Sequence, residues 1–231
     1  MRRLLILAGL ALATAAAAAP RDDMAQRVKP CTVCHGPEGR ATNDGYFPRI
    51  AGKPAGYLHQ QLLGFRDGRR QYGPMTALVE HLSDDYLREM ADHFAALSLP
   101  YPPPQPPQAA PAQLERGRAL ALQGDPARGL PACAQCHGSA LTGVAPAIPG
   151  LLGLPRDYLN GQIGLWRLGD RRALAPDCMA DIVKRLSPED IGAVSAWLAA
   201  QALPADTRPA AALPAPLPQP CGSVARRGAA E

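Results

Sequence analysis

The fold is decided by the stretch Cys31-Thr32-Val33-Cys34-His35-Gly36, which recurs 102 residues further along as Cys133-Ala134-Gln135-Cys136-His137-Gly138. A second shared stretch follows each copy. Its pattern, Pro-x-x-x-Gly-x-Pro-x-x-Tyr-Leu-x-x-Gln, begins at Pro48 and again at Pro149. Self-similarity at a nearly constant displacement is typical of a tandem repeat. The sequence therefore predicts two copies of one domain.

The spacing Cys-x-x-Cys-His is the attachment motif of c-type haem. The two thiols add across the haem vinyl groups, and the adjacent histidine binds the iron as its proximal ligand. Two other uses of a Cys-x-x-Cys pair fit less well. A thioredoxin-like redox pair occurs in a βαβ unit, and a zinc site needs further ligands at a compatible spacing. Neither pattern accompanies these motifs. The sequence therefore predicts two covalently bound haem c groups. The attachment cysteines are Cys31, Cys34, Cys133 and Cys136, and the proximal ligands are His35 and His137.

A sixth iron ligand is expected on the opposite side of each haem. Met75 and Met179 stand at matching positions, 40 and 42 residues after the motif histidines, and a thioether ligand raises the reduction potential. Because Met75 follows Gly73-Pro74, we expect it in a loop. The alternative is that both methionines only fill the core, as we expect of Met24 and Met90, which have no methionine counterpart. Three other histidines also lack a matching histidine and are expected at the surface or between helices: His59, His81 and His93.

Arginines and aromatic side chains follow the second shared stretch in both copies. The arginines face haem propionates or an acidic partner, or are simply solvated: Arg66, Arg69, Arg70, Arg167, Arg171 and Arg172. The aromatic residues pack around the porphyrins or within an ordinary helical core: Tyr57, Tyr158, Phe65 and Trp166. The sequence alone leaves both pairs of alternatives open.

Composition predicts an all-α fold. Aromatic residues make up only 5% of the 231 residues and Ala and Leu predominate, which favours helices over a β-sandwich or barrel. The 26 prolines must then lie between helices. The sequence of each copy predicts three or four short helices. One precedes the haem motif, one begins at Pro54 or Pro155, and one is capped by Ser83 or Ser187.

The organisation of the chain follows from these elements. A basic start, an apolar run from Leu4 to Leu12 and a small-residue tract predict a secretory signal peptide; an uncleaved anchor helix is the weaker alternative. The predicted parts are a signal peptide (1–19), a first domain (20–99), a linker with seven prolines (100–111), a second domain (112–202) and an Ala/Pro-rich tail, irregular or mobile (203–231).

Export predicts a periplasmic location, where disulfides form. Without the two N-terminal arginines, 22 Lys and Arg stand against 20 Asp and Glu. The resulting net charge of +2 is too balanced to indicate a nucleic-acid partner.

Taken together, the motif residues, the shared stretches from Pro48 and Pro149 and the two methionines resemble the dihaem cytochrome c4 family. The resemblance covers roughly residues 22–98 and 112–200. It implies two tandem class I cytochrome c domains packed as a pseudo-symmetric pair. It also implies that the Pro48 and Pro149 carbonyls accept a hydrogen bond from the proximal histidines, and that each such bond fixes the imidazole orientation.

The resemblance further implies a carrier of single electrons. The donor would be a quinol-oxidising cytochrome complex or a dehydrogenase, and the acceptor a haem–copper terminal oxidase; peripheral association with the membrane is left open. Two rival functions remain. One is a dihaem oxidoreductase, either a peroxidase or a thiosulfate dehydrogenase-like enzyme, which needs an exchangeable sixth position on an iron. The other is an electron-relay subunit fixed within a larger complex.

Three features depart from the family pattern. The linker is long and rich in proline, which puts close packing of the haems in doubt. Cys178 stands where the first copy has Pro74, and a tail that carries Cys221 follows the second domain. Because the haems use four of the six cysteines, an even pair remains. We expect a Cys178–Cys221 disulfide that ties the tail to the Met179 segment. The alternatives are Cys178 as a thiolate ligand of the second iron, with Met179 turned away, and a free or lipid-modified thiol.

Overall fold

The computed structural model describes residues 22–41, 45–107 and 109–224, and the predicted signal peptide lies outside them. Within these ranges each copy contains five helices. The first copy has α1 (Met24–Arg27), α2 (Lys29–His35), α3 (Ala55–Arg66), α4 (Gly73–Val79) and α5 (Asp84–Ala96). The second copy has α6 (Pro111–Leu122), α7 (Cys133–His137), α8 (Arg156–Leu168), α9 (Cys178–Arg185) and α10 (Pro188–Ala199).

Short irregular elements complete each copy. Single 3-10 turns follow α2 and α6, at Pro37–Gly39 and Pro126–Arg128. In the second copy, β1 (Gly143–Val144) pairs antiparallel with β2 (Ile148–Pro149). The all-α prediction is confirmed, with five helices per copy where the sequence suggested three or four. The additional helices are α2, α4, α7 and α9, which have five to eight residues and are too short to show a helical period in the sequence.

Serine caps begin the last helix of each copy, as the sequence predicts. The Ser83 hydroxyl accepts a hydrogen bond from the Tyr86 amide at 3.2 Å. The Ser187 hydroxyl accepts one from the Asp190 amide at 3.1 Å, and the Asp190 carboxylate accepts the Ser187 amide in return. These bonds satisfy amides that the first helical turn leaves without intrahelical partners.

The hydrophobic core of the second copy lies between α6, α8 and α10. Helices α6 and α10 approach closely because Gly117 lacks a side chain: a Cβ there would overlap the Ala193 carbonyl oxygen. In the first copy, α3 packs against α5 around Leu58, Phe94 and the fully buried Leu87. The two cores are separate, as expected of two domains.

The two copies nevertheless contact each other directly. Arg70 and Arg171 form an antiparallel β-bridge that joins the segments after α3 and α8. The Gln71 amide donates to the Asp170 carbonyl at 2.9 Å, and the Arg172 amide donates to the Arg69 carbonyl at 2.7 Å. Because equivalent residues of the repeat meet, the two domains are related by a pseudo-two-fold axis through this bridge.

The proline-rich linker is fastened to both domains. In the first domain the Arg49 guanidinium donates to the Leu99 and Pro100 carbonyls and lies 3.9 Å from the centre of the Tyr101 ring. In the second, the Gln105 amide donates to the Ala199 carbonyl at 3.0 Å. The linker therefore does not hold the domains apart, and α6 begins inside the range predicted as linker.

The tail has no helix between residues 203 and 224, but it is hydrogen-bonded to the second domain. Ala210 adds to β1 through bonds with Gly143 and Ala145. In the described ranges, no helix combines the length and apolar character needed to cross a bilayer.

Candidate functional site

Each Cys-x-x-Cys-His motif lies on a short helix that ends at its histidine. Gly36 and Gly138 terminate these helices with φ of 75° and 84°, a backbone conformation that favours glycine. A Cβ on Gly36 would lie 2.7 Å from the Ala41 carbonyl oxygen. The chain therefore turns sharply after each histidine.

Both histidines are oriented by a proline carbonyl. His35 Nδ1 lies 2.8 Å from the Pro48 oxygen, and His137 Nδ1 lies 2.7 Å from the Pro149 oxygen. A carbonyl oxygen only accepts, so Nδ1 carries the proton and donates it. In a neutral ring, Nε2 is then left with its lone pair available for a metal ion. This is the bond that the resemblance implied.

Burial keeps these groups uncharged. It lowers the pKa of His35 and of His137, so both imidazoles are neutral near neutral pH. It also raises the pKa of the Cys31 and Cys136 thiols and brings that of Cys133 to about 11. Each motif therefore presents a neutral imidazole nitrogen and two half-buried thiols, the groups that covalent haem attachment needs.

The two candidate distal ligands lie in helices. Met75 is in the first turn of α4 and Met179 is the second residue of α9. The predicted loop at Met75 is wrong, because Pro74 occupies the first turn of a helix, where proline is tolerated. Both side chains are half-buried, and Met75 packs against a cluster formed by Phe65, Val79, Leu87 and Met90. Their role as iron ligands stays a prediction.

Two of the six arginines, Arg70 and Arg171, are buried where the domains meet, at 9% and 5% exposure. Arg70 donates to the Gln162 side chain at 2.5 Å and to Gln61 at 3.2 Å. Arg171 donates to Gln61 at 2.9 Å and to Gln162 at 2.7 Å. The guanidinium groups also reach the Tyr158 and Tyr57 hydroxyls, at 3.5 and 3.4 Å. These tyrosines, expected against the porphyrins or in a core, contact the arginines of the other copy.

No carboxylate among the described residues balances the positive charge of this pair. Among the described residues, neither Arg70 nor Arg171 forms a salt bridge, and burial lowers the pKa of Arg171. Beside them lies a cavity of about 20 Å³, lined partly by Trp166, whose Nε1 is buried with no partner in the described structure. Buried cations need an anion nearby. Haem propionates are carboxylates, so the buried positive charge of Arg70 and Arg171 is compatible with haem propionates nearby.

The other four arginines are not buried. Arg66 pairs with Asp67 at 2.9 Å and with Asp84 at 2.5 Å, and Arg69 pairs with Asp67 at 2.9 Å. Arg167 and Arg172 are exposed. The solvated alternative therefore describes these four better than a propionate contact.

The three remaining histidines lie away from the attachment motifs. His81 is exposed beside Glu80, and the His93 ring lies 5.3 Å from that of Phe94. His59 is half-buried on α3. These positions agree with the prediction that the three histidines lie at the surface or between helices.

The structure joins Cys178 and Cys221 in a disulfide with a Cα–Cα distance of 5.0 Å. The sulfur of Cys178 is thereby engaged, and Met179 remains as the candidate ligand in α9.

Two further sites with buried charged side chains were not predicted from the sequence. Arg49 and Lys53 lie against the Tyr101 ring, and Asp190 pairs with Arg116 and Arg128. Arg49, Lys53 and Asp190 belong to no repeated motif, so no pattern indicates them.

The paired His–Pro contacts, the thiols beside them and the repeated helical domain define a tandem c-type cytochrome of class I. Comparison with known proteins places it more narrowly. The chain is 36% identical to the thiosulfate dehydrogenase electron acceptor of Thiomonas intermedia, covering 88% of this chain and 93% of that protein. It is 34% identical to cytochrome c4 of Pseudomonas aeruginosa, covering 83% and 92%. No protein-family model matches the sequence.

Solved structures agree with these relatives. Reduced cytochrome c4 from Pseudomonas stutzeri superimposes with a TM-score of 0.66 at 27% identity, covering 77% of this chain and 96% of that chain. Thiosulfate dehydrogenase from Marichromatium purpuratum gives a TM-score of 0.67 at 31% identity, covering 75% of this chain but only 36% of that longer chain. The chain belongs to the dihaem cytochrome c4 family. It carries two covalently bound haem c groups and acts as an electron carrier.

Proposed function

We propose that this cytochrome is periplasmic, accepts single electrons from a thiosulfate-oxidising dehydrogenase and passes them to a haem–copper terminal oxidase. The observation that carries the donor is the 36% identity, across 93% of its length, to a protein named as the electron acceptor of thiosulfate dehydrogenase. A dehydrogenase was one of the two donor classes expected from the sequence. The other expected donor class is a quinol-oxidising complex, and the test of the donor compares the two.

The residues of the chain hold and tune the redox centres. When bound, each haem iron supplies a one-electron couple. The cysteines of each motif fix the group covalently, and the Pro48 and Pro149 carbonyls hold the imidazole of the proximal histidine in one orientation. Met75 and Met179 are proposed as the sixth ligands, which closes both irons to substrates and favours carriage over catalysis. Arg70 and Arg171 supply buried positive charge where the two domains meet.

A fixed electron-relay subunit of a dehydrogenase is the second candidate function. The likeness to thiosulfate dehydrogenase of Marichromatium purpuratum supports it, since this chain matches about a third of that longer chain. The two candidates differ in the lifetime of the complex with the donor. A mobile carrier dissociates after each electron transfer, whereas a relay subunit remains bound.

Anaerobic stopped-flow spectroscopy tests the donor. The oxidised holoprotein is mixed with thiosulfate, with thiosulfate and catalytic amounts of a purified thiosulfate dehydrogenase, or with a quinol-oxidising complex and quinol. We expect rapid reduction of both haems only when the dehydrogenase is present. Reduction by thiosulfate alone would show that the chain is itself the oxidoreductase. Reduction by the quinol-oxidising complex alone would replace the proposed donor.

Size-exclusion chromatography of the mixture then separates the two candidates. A mobile carrier elutes apart from the dehydrogenase at micromolar concentrations, and its reduction rate falls as salt screens the encounter. Co-elution of the two proteins as a stable complex would establish the relay subunit.

A further inference from the structure

Residues 219–223 of the tail are bound to Cys178 and to the segment just before it, next to the proposed ligand Met179. Besides the disulfide, the Gln219 side chain donates to the Cys178 carbonyl at 2.9 Å. The Gly222 amide donates to the Pro176 carbonyl, also at 2.9 Å. Gly222 lies so close to this segment that a Cβ would overlap the Ala175 carbonyl oxygen. The tail therefore follows the backbone at the start of α9 rather than touching it at one point.

The same tail segment also reaches the first domain. The Ser223 carbonyl accepts a hydrogen bond from the Gln60 side chain of α3 at 3.0 Å, and its hydroxyl accepts one from the Leu174 amide at 3.3 Å. At its other end the tail is fixed to β1 through Ala210. Residues 210–223 thus form a strap that runs from the small sheet of the second domain, across the start of α9, to α3.

The first copy has no equivalent of this strap in the described structure. Pro74 occupies the position that matches Cys178, directly before Met75. The first turn of α4 contains Gly73 and Pro74, both exposed, and a Cβ on Gly73 would meet nothing within 4 Å. The two proposed methionine ligands therefore differ in how their helices are held at the N-terminal end.

We propose that the strap, closed by the Cys178–Cys221 disulfide, positions Met179 for binding to the second iron. Cys178 and Cys221 are then positioning residues, because their sulfurs are bonded to each other and they act through the first turn of α9 rather than by binding the iron. The inference rests on the proposed role of Met179 as a ligand. The disulfide closes a loop across 43 residues of sequence. Without it, the ends of that loop are free to separate, and α9 loses the covalent constraint next to Met179.

The variant Cys178→Ala/Cys221→Ala tests the proposal without leaving a thiol beside the iron. Holoprotein is compared with wild type in three measurements that do not require a redox partner: the weak near-infrared band of the iron–methionine bond, the reduction potential of each haem, and the rate of carbon monoxide binding to the ferrous protein. We expect carbon monoxide to bind the second haem about tenfold faster, in the range usual for coupling between sites. The potential of the second haem falls, while that of the first haem stays unchanged.

Two further variants make the result specific. Pro74→Ala changes the matching position in the first copy, where no strap is attached, and should leave both haems as in wild type. Gln219→Ala removes one bond between the strap and α9 but keeps the disulfide, so it provides a milder change of the same sign if the double variant does not fold.

The outcomes separate the inference from its premise. If wild-type protein lacks the iron–methionine band at the second haem, Met179 is not a ligand and the premise fails. If wild type shows that band and the double variant matches wild type in potential and carbon monoxide binding, the premise holds and the strap does not position Met179. An equal change at both haems would indicate general destabilisation and would also overturn the proposal.

Discussion

At the scale of single residues, the two domains depend on a proline carbonyl that selects one tautomer of a buried histidine. Pro48 and Pro149 have no amide hydrogen, so their carbonyls are the only backbone hydrogen-bonding groups they offer to His35 and His137. The proline thereby leaves Nε2 of a neutral ring available to bind the iron. On the distal side, the assignment of the sixth ligand depends on Met75 and Met179.

The substitution Met75→Leu tests the distal ligand of the first haem. Leucine conserves volume but removes the thioether, so we expect loss of the iron–methionine band at one haem, a lower potential and binding of one carbon monoxide per chain. The matched control is Met90→Leu, since Met90 is 3% exposed in the same cluster but has no counterpart in the second copy. An unchanged spectrum in Met75→Leu would assign Met75 to the core alone.

At the scale of elements, the second domain relies on the close packing of α6 against α10 and on the cap that begins α10. The first contact requires a glycine, Gly117, because the Ala193 carbonyl occupies the space of a side chain. The cap is reinforced by ion pairs from Asp190 to Arg116 at 3.0 Å and to Arg128 at 2.7 Å. Together they fix how α6 and α10 pack in the second domain.

Gly117→Ala should destabilise the second domain by about 2 kcal/mol, because overpacking forces the two helices apart. Gly161→Ala is the matched control: Gly161 is also helical, but a Cβ there meets nothing within 4 Å, so the gain in helix propensity makes it neutral or stabilising by up to about 1 kcal/mol. Chemical unfolding of the two holoproteins measures the difference. Equal stabilities would show that α6 and α10 adjust at no cost.

Asp190→Asn should change the dependence of stability on pH. Burial alone would raise the pKa of Asp190, but hydrogen bonds from Arg128, the Ser187 amide and Arg116 outweigh it, so the pKa is lowered. The carboxylate therefore stabilises the fold above the unfolded pKa of about 3.9, and this contribution is lost as the pH falls through the folded pKa. We expect the variant to be about 1–2 kcal/mol less stable at neutral pH. Urea unfolding at decreasing pH should show the curves converging; a constant difference would contradict the assignment.

Local patterns predicted the attachment motifs and the serine caps at Ser83 and Ser187, since each depends on residues close together in the chain. The helical setting of Met75 was missed because Gly73-Pro74 is typical of a turn as well as of a helix start. Repetition placed the arginine pairs Arg69-Arg70 and Arg171-Arg172 at matching places in the two copies, but it gave no sign that Arg70 and Arg171 meet. That contact depends on how two rigid domains pack, which is encoded in no single stretch of sequence.

At the scale of the whole molecule, two glutamines hold the domains together. The Gln61 and Gln162 side-chain oxygens each accept bonds from both buried arginines, so each glutamine bridges the two copies. With the linker fastened to both domains as well, we expect the holoprotein to unfold as one cooperative unit.

Gln162→Met should loosen this interface. The substitution conserves length but leaves donors of Arg70 and Arg171 without their acceptor, at a cost of about 1–3 kcal/mol. In calorimetry the single transition of wild type should broaden or split into two. Gln71→Met is the control, because Gln71 is exposed and its side chain bonds only to the Gly68 carbonyl within the described structure. A single transition in both variants would assign the cohesion of the domains to other contacts.

The meeting of Arg70 with its own duplicate has a consequence for the origin of the chain. A surface that pairs with its own copy is self-complementary, so a gene for one copy would already specify a homodimer with two-fold symmetry, formed only at sufficient concentration. Joining the copies on one chain replaces that association with an intramolecular one, at an effective concentration on the order of millimolar. Dilution then no longer separates the two centres. Each half is also free to diverge, as the second has done by acquiring a tail.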